Sequence, residues 1–285
     1  MADVHEHPWL EALSQQAGIR RALLLHGDVF DISFNAKLRE YQPTMQVILH
    51  SLEQRGFSKV VVWDPFSGIE NVNRRDWDSM AQEAVQLEGA QGASGYSDYD
   101  MGPMAAMQPV AGSGQVSAED FFSVVYYHLM HQKKERIAFV VDWSQYLFGN
   151  ANALSVEERR WLMILAKAIR NVPVSTTIED VERPSNLVVL VSQRLGAIPP
   201  VFYQDNASVR EVIITSPSRN ERELYLKRTF DQWRLRSTPQ PGEPAFHDFV
   251  DALEGLALLD LQQLIKLSHQ TYGESLTYEK LINLY

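Results

Sequence analysis

The chain of 285 residues contains no cysteine. Disulfides, thiolate metal sites, iron–sulfur clusters and cysteine nucleophiles are thereby excluded together. No apolar run approaches the roughly 18 residues that a membrane-spanning helix needs, so none is expected and no membrane partner either. The opening MADVHEHPWL has neither the basic nor the apolar region of a secretory signal, and the cytoplasm is the expected compartment. Positive charge is scarce: 26 Lys plus Arg stand against 36 Asp plus Glu, a formal net charge of −10. That balance argues against broad, non-specific nucleic-acid binding. What remains is 45% apolar and 22% charged, an ordinary globular composition with enough apolar material for a sizeable core.

Four short apolar runs stand out: Arg21 to Leu25 (RALLL), Lys59 to Trp63 (KVVVW), Ile137 to Val141 (IAFVV) and Leu187 to Val191 (LVVLV). None alternates with polar residues, the pattern of strands buried on both faces, as in a parallel sheet. Glu211 to Thr215 (EVIIT) is a fifth candidate, ending at Ser216-Pro217. Helical spacing fills the intervals at Met45 to Gln54, at Arg75 to Leu87, from Ser117 to about Gln132, and after a capping box at Ser155 to Glu158. Strands alternating with helices predict an α/β layered domain with right-handed crossovers. Beyond Pro217 no strand signal remains. Helices are expected over Asn220 to Trp233, Ala245 to Leu253, Leu258 to His269 and Thr277 to Leu284, with the break TPQPGEP at Thr238 to Pro244. The expected organisation is an α/β core over residues 1–219 and a small helical lid over 220–285. Gly89 to Gln115, rich in Gly, Ala, Ser, Met and Pro, reads as a mobile insertion at about 89–116.

A parallel α/β sheet binds ligands at the carboxyl ends of its strands. The first run leads into His26-Gly27-Asp28-Val29-Phe30-Asp31. A phosphate loop would read GxxxxGK[ST], with backbone amides around the phosphate and a lysine on its outer oxygens. Here there is one glycine, no lysine, and two carboxylates that repel phosphate unless a metal intervenes. The plainer reading makes Gly27 a sharp turn. The third run ends in Asp142-Trp143-Ser144, where Asp142 either holds Mg²⁺ or caps the next turn. A second acid beside it would orient water for hydrolysis, and that place is taken by Trp143. The fourth run ends in Ser192-Gln193-Arg194, a polar pair that can contact phosphate or satisfy its own loop.

The order of these features resembles an AAA+ ATPase module over about residues 20 to 270. The most specific portion is Leu187 to Leu226: a strand ending in a polar residue, then R-x-x-x-I-P-P at Arg194 to Pro200, then a strand followed by P-x-x-x-E-R-x-x-Y-L at Pro217 to Leu226. LLLHGDVFDI and VVVWDPFSGIE are similar to the divergent N-terminal module of larger bacterial AAA-type ATPases, which implies a continuation beyond this chain. The implied fold is a P-loop-NTPase-like (AAA+) parallel sheet sandwiched by helices, with a small all-helical lid. By that resemblance His26, Gly27, Asp28 and Asp31 hold the phosphate-loop position, Asp142 matches the Walker B aspartate, Ser192 or Gln193 falls at sensor 1, and Arg210, just before the fifth strand, falls near the arginine finger.

Both the phosphate loop and the Walker B glutamate are missing, so a non-hydrolysing module for oligomer assembly or partner binding is the leading expectation, with no cofactor. Its partners would be its own copies, a catalytic AAA+ domain or a protein substrate. One alternative is an ATP-using enzyme with Mg-ATP held by Asp28 or Asp31 and Asp142. Another is a clamp-loader-like subunit whose stretch Lys227, Arg228, Arg234 and Arg236 touches nucleic acid; solvation or a subunit contact ranks ahead of that for these four. His5-Glu6-His7 and the pair His128 and His131 are weak metal patterns, the second expected to be packed in a helix face. Trp63, Trp77, Trp143, Trp161 and Trp233 are expected to pack.

Overall fold

The computed structural model describes residues 7–91, 116–131, 133, 135–170, 178, 185–270 and 276–285. The bulk of the expected insertion, residues 92–115, lies outside them, as do His5 and Glu6. The described strands are β1 (Ala22–Gly27), β2 (Ile32–Asn35), β3 (Glu40–Pro43), β4 (Lys59–Asp64), β5 (Gly68–Glu70), β6 (Ile137–Val141), β7 (Leu187–Ser192) and β8 (Val209–Ile214). The described α-helices are α1 (Pro8–Gln16), α2 (Thr44–Gln54), α3 (Arg74–Gln91), α4 (Ala118–Met130), α5 (Val156–Arg170), α6 (Pro200–Tyr203), α7 (Arg219–Arg228), α8 (Pro244–Ala252), α9 (Leu258–Gln270) and α10 (Tyr278–Leu284).

All five apolar runs are strands of one six-stranded sheet, ordered β5-β4-β6-β7-β1-β8. β4, β6, β7 and β1 pair in parallel. β8 follows the same sense, since Ala22 N donates to Ser208 O and Asp28 N to Ile214 O. Only the short β5 runs antiparallel, folded back on β4. In the four inner parallel strands both alternating sets of side chains are largely buried, which is why the runs do not alternate. β8 is an edge, and its pattern mixes buried with exposed positions. It begins at Val209, two residues earlier than the sequence suggests, because Arg210 and Glu211 can point to water from an edge strand.

The chain divides into two units. The first, residues 7–26 and 48–213, carries most of the sheet. One face of that sheet, through Leu24, Val61, Trp63, Phe139 and Leu190, packs on Trp77 and Met80 of α3, Phe121 and Phe122 of α4, and Leu165 and Ile169 of α5. Trp63 and Phe121 stack at 4.9 Å between ring centroids. Burying each such large side chain contributes about 2 kcal/mol. The helices start where the caps predict. Ser117 Oγ accepts from Asp120 N at 3.1 Å, and Ser155 and Glu158 close a reciprocal box at 2.6 and 3.2 Å. α4 stops at Met130, two residues short of the expected Gln132. At its carboxyl end Leu129 O accepts from the buried Arg21 guanidinium, a cation suited to that end of the helix dipole.

The second unit comprises residues 27–47 and 214–285. Its core is Tyr225, Leu226, Trp233, Phe246, Phe249, Leu261, Leu264 and Leu281, with Ile32 and Tyr41 of the β2–β3 hairpin packed against them. A second capping box, Ser218 with Glu221, starts α7. That helix ends at Arg228 rather than Trp233, and a 3₁₀ turn at Phe230–Gln232 follows, with Thr229 Oγ1 bonded back to Tyr225 O.

Candidate functional site

The carboxyl ends of the parallel strands bring four sequence-selected or neighbouring side chains into a row. His26 pairs in register with Ser192 across β1 and β7. Asp142 follows β6, and its N–H donates to Trp63 O at 2.9 Å, which puts it level with Asp64 at the end of β4. Asp64 carries the same signal as Asp142, an acid closing an apolar run, and the sequence reading passed it over.

Ser192, Asp64 and Asp142 each have hydrogen-bond partners, whereas the buried Nε2 of His26 has none among the described residues. His26 Nε2 lies 3.9 Å from Glu211 of β8, an ion pair only when the imidazole is protonated. Ser192 has no accessible surface, and its hydroxyl is held by its own turn: it donates to Arg194 O at 2.9 Å and accepts from Arg194 N at 3.3 Å. Of the two sensor-1 candidates, Gln193 is therefore the one with an exposed side chain; its N–H donates to Gln145 Oε1 at 3.3 Å, tying this turn to the one after β6. Asp64 Oδ1 accepts from Phe66 N and Ser67 N, both at 2.7 Å, and shapes the β4–β5 turn.

Asp142 Oδ1 accepts from Trp143 N at 2.7 Å, the turn-capping contact. Burial, with the nearby Asp64 and Glu70 adding to it, pushes its carboxyl up to about 6. Trp143 sits in the left-handed region at φ 52°, rare for a bulky side chain, and is 43% exposed. It is thus a surface residue, unlike the other tryptophans expected to pack. Its backbone is turned by the 3₁₀ segment Ser144–Tyr146, anchored by Ser144 Oγ on Val141 O.

A carboxyl raised in the folded state stabilises below its unfolded value near 3.9 and loses that contribution as pH rises through about 6. Asp142→Asn is therefore expected to match the wild type near pH 4 and exceed it by about 1–2 kcal/mol at pH 7, a figure discounted for partial exposure. Urea unfolding at the two pH values measures this. A variant less stable at pH 7 would mean that a cation compensates the carboxylate.

Arg210 does not join this row. It is the second residue of β8, exposed and towards the amino end, instead of preceding the strand.

Three residues of the phosphate-loop position, Gly27, Asp28 and Asp31, belong to the second unit. Gly27 has φ 108°, and a Cβ there would overlap the carbonyl oxygen of Ile214. The turn reading of this glycine is the one the geometry supports. Asp28 is bonded to the Ser216 side chain, and burial raises its carboxyl above the ordinary range, with Asp260 adding a smaller push. Asp31 is 6% exposed and accepts three backbone N–H bonds: Ile32 at 2.8 Å, Leu258 at 2.9 Å and Leu259 at 2.7 Å. It thus caps the amino end of α9. Burial raises its carboxyl, and the three donors bring it part of the way back.

The weaker patterns resolve as packing or local pairing. His128 is buried, its Nε2 3.3 Å from Met80 O, and burial lowers its pKa. His131 stacks on Tyr127. Lys227 pairs with Glu223 at 2.6 Å, and the Arg228 guanidinium lies 3.8 Å over Phe34. Among the described residues no group of three or more His, Asp or Glu is placed to hold a metal ion. No helix among them is long and apolar enough to cross a membrane.

A mostly parallel sheet with flanking helices, strand-end acids in a row and helices following β8 defines an α/β module of the AAA+ type. The chain matches the family model described as AAA+ chaperone, N-terminal Rossmann-like domain, over residues 4–215, and it belongs to that family. No curated protein matches it.

Proposed function

We propose that this chain is a non-hydrolysing AAA+-type module that arranges copies of itself or a catalytic AAA+ domain and binds a protein partner. The observation that carries this is Asp31. Where a phosphate loop would present backbone amides and a lysine, this chain has a carboxylate already holding three N–H groups of its own fold. The residues at that position do not suit a magnesium nucleotide. To serve as a ligand, Asp31 would have to release the end of α9, and Asp28 is bonded to Ser216. Trp143, in the place of the acid that would orient water, cannot accept a proton.

The nucleic-acid alternative loses support from the same kind of pairing. Lys227 is engaged by Glu223 and Arg228 by Phe34, so two of the four cations in the basic stretch are already held by their own fold. The ring role of Arg210, acting in trans on a neighbour, remains part of the proposal. So do the lid role of the helices after residue 219 and the cytoplasm as the working compartment.

Calorimetric titration of ATP and ADP with Mg²⁺ into the full chain tests the reading. The expected result is no binding heat up to about millimolar nucleotide. Trp143→Glu, which restores an acid beside Asp142, is expected to give no ATP turnover, since positioning and charge stabilisation by a phosphate cradle are still lacking. Micromolar nucleotide binding, or turnover by that variant, would replace this proposal with the enzyme reading.

A further inference from the structure

We propose that the outer edge of β8 is the contact surface for a second copy of this chain, which adds its own β8 antiparallel across a two-fold axis at Ile213. The inference deepens the self-assembly reading above and rests on it. Ser208 O and Ile214 O accept from Ala22 N and Asp28 N, acceptors and donors alike being six residues apart. The ladder therefore runs without a bulge, and by strand alternation residues 210, 212 and 214 face β1. The N–H and C=O groups of Glu211 and Ile213 point the other way. β8 ends the strand order, and among the described residues nothing bonds to these four groups.

An open row of this kind specifies its guest by backbone first: another extended strand meets the alternate N–H and C=O groups together. Edges that must stay single are guarded by charge, proline or a bulge. Here the guard covers the first half alone. Arg210 and Glu211 are exposed, whereas Val212, Ile213, Ile214 and Thr215 carry no charge, and the first proline is Pro217. Ile213 is 57% exposed, although its type favours burial. Thr215 and Ser216 beside it are exposed as well, so the second half of the edge is open.

The side chains favour a second copy and fix its register. Antiparallel pairing of two copies must set outward-facing residues opposite one another. Glu211 opposite Glu211 of the second copy would oppose like charges. Glu211 opposite Ile213 would lay a carboxylate against an exposed apolar side chain. Ile213 opposite Ile213 pairs like with like: Val212 then meets Ile214, and Glu211 meets the polar Thr215. This register is self-complementary, as a two-fold contact requires, and it covers the exposed isoleucine of the edge with its twin. A ribbon this short falls below the roughly 1,200–2,000 Å² of a stable interface, so the pairing is weak in dilute solution and is made at high local concentration. Because a two-fold contact closes at two copies, a ring of such modules is built through another surface.

The chain has no cysteine, so single cysteines introduced on β8 report the register. Facing Cα atoms of a hydrogen-bonded antiparallel pair are about 5.5 Å apart, a span that a disulfide bridges. The two copies of residue 211 would lie about 13 Å apart along the ribbon. In mildly oxidising buffer at about 100 μM protein, Ile213→Cys is expected to form a disulfide-linked dimer at least about tenfold faster than Glu211→Cys. In sedimentation velocity the wild type is expected to associate as concentration rises, and more so in salt, because each copy carries a net charge of −10. Ile213→Lys, at an exposed position, is expected to stay monomeric with the wild-type circular dichroism. Equal cross-linking of the two cysteine variants, or none, overturns the proposal. So does association that survives Ile213→Lys, which would place the contact elsewhere. The nucleotide titration is a separate measurement. A monomeric wild type alongside nucleotide silence removes this inference and leaves the non-hydrolysing reading in place; nucleotide binding alongside cross-linking at residue 213 alone does the reverse.

Discussion

Gly27→Ala is expected to destabilise the protein by about 3 kcal/mol or more, the combined cost of backbone strain and steric overlap. Two terms add at this position. At φ 108° an L side chain is strained whatever the space around it. The added Cβ would also meet Ile214 O, which cannot retreat freely because it accepts the Asp28 N–H at 2.8 Å. Gly56 separates the two terms. Its φ is 100°, but nothing lies within 4 Å of the position a Cβ would take. Gly56→Ala should therefore show the strain alone, about 1 kcal/mol. Urea unfolding of both variants gives the comparison. Equal losses would show that Ile214 yields, and would remove the argument that close approach explains the glycine after β1.

Asp31→Ala should cost about 3 kcal/mol, since two N–H groups at the start of α9 and that of Ile32 lose their acceptor in a buried setting. Asp31→Asn keeps one acceptor oxygen and sheds the cost of a buried charge, so a loss of about 1 kcal/mol is expected. The order of the two variants matters as much as their size. A residue reserved for metal or phosphate would show little stability loss without ligand, and would gain stability when its charge is removed. Thermal unfolding in metal-free, nucleotide-free buffer distinguishes the cases. An alanine variant as stable as the wild type would end the capping role and reopen the nucleotide question at this loop.

The parallel strands were legible because burial on both faces leaves unbroken apolar runs such as LVVLV. Helix starts were legible wherever a serine stood three residues before an acid; Ser218 and Glu221 carried the same signal unused. The β2–β3 hairpin was not legible. Its strands are four residues each, ISFN and EYQP, and its turn places Arg39 at φ 59° where a glycine would have signalled the reversal. Of the candidate site, the strand-end position of Asp142 followed directly from its run. The capping work of Asp31 could not be read, because its partners lie 227 and 228 residues away in sequence. Trp143 was misjudged because composition says nothing about the left-handed turn that carries it to the surface.

The long separation between Asp31 and α9 also bears on the order in which the chain matures. At synthesis rates of about 5–20 residues per second, Asp31 leaves the ribosome's catalytic centre roughly 10–45 s before Leu258 is added. Residues 7–213 can assemble the sheet-bearing unit in that interval, whereas the hairpin at 32–43 must wait for the helices that bury it. The fold is thus closed by its last-made part. A nascent chain halted before residue 258 would expose Ile32 and Tyr41 to quality-control factors, and its stability would be decided by kinetics on the ribosome as much as by the finished contacts.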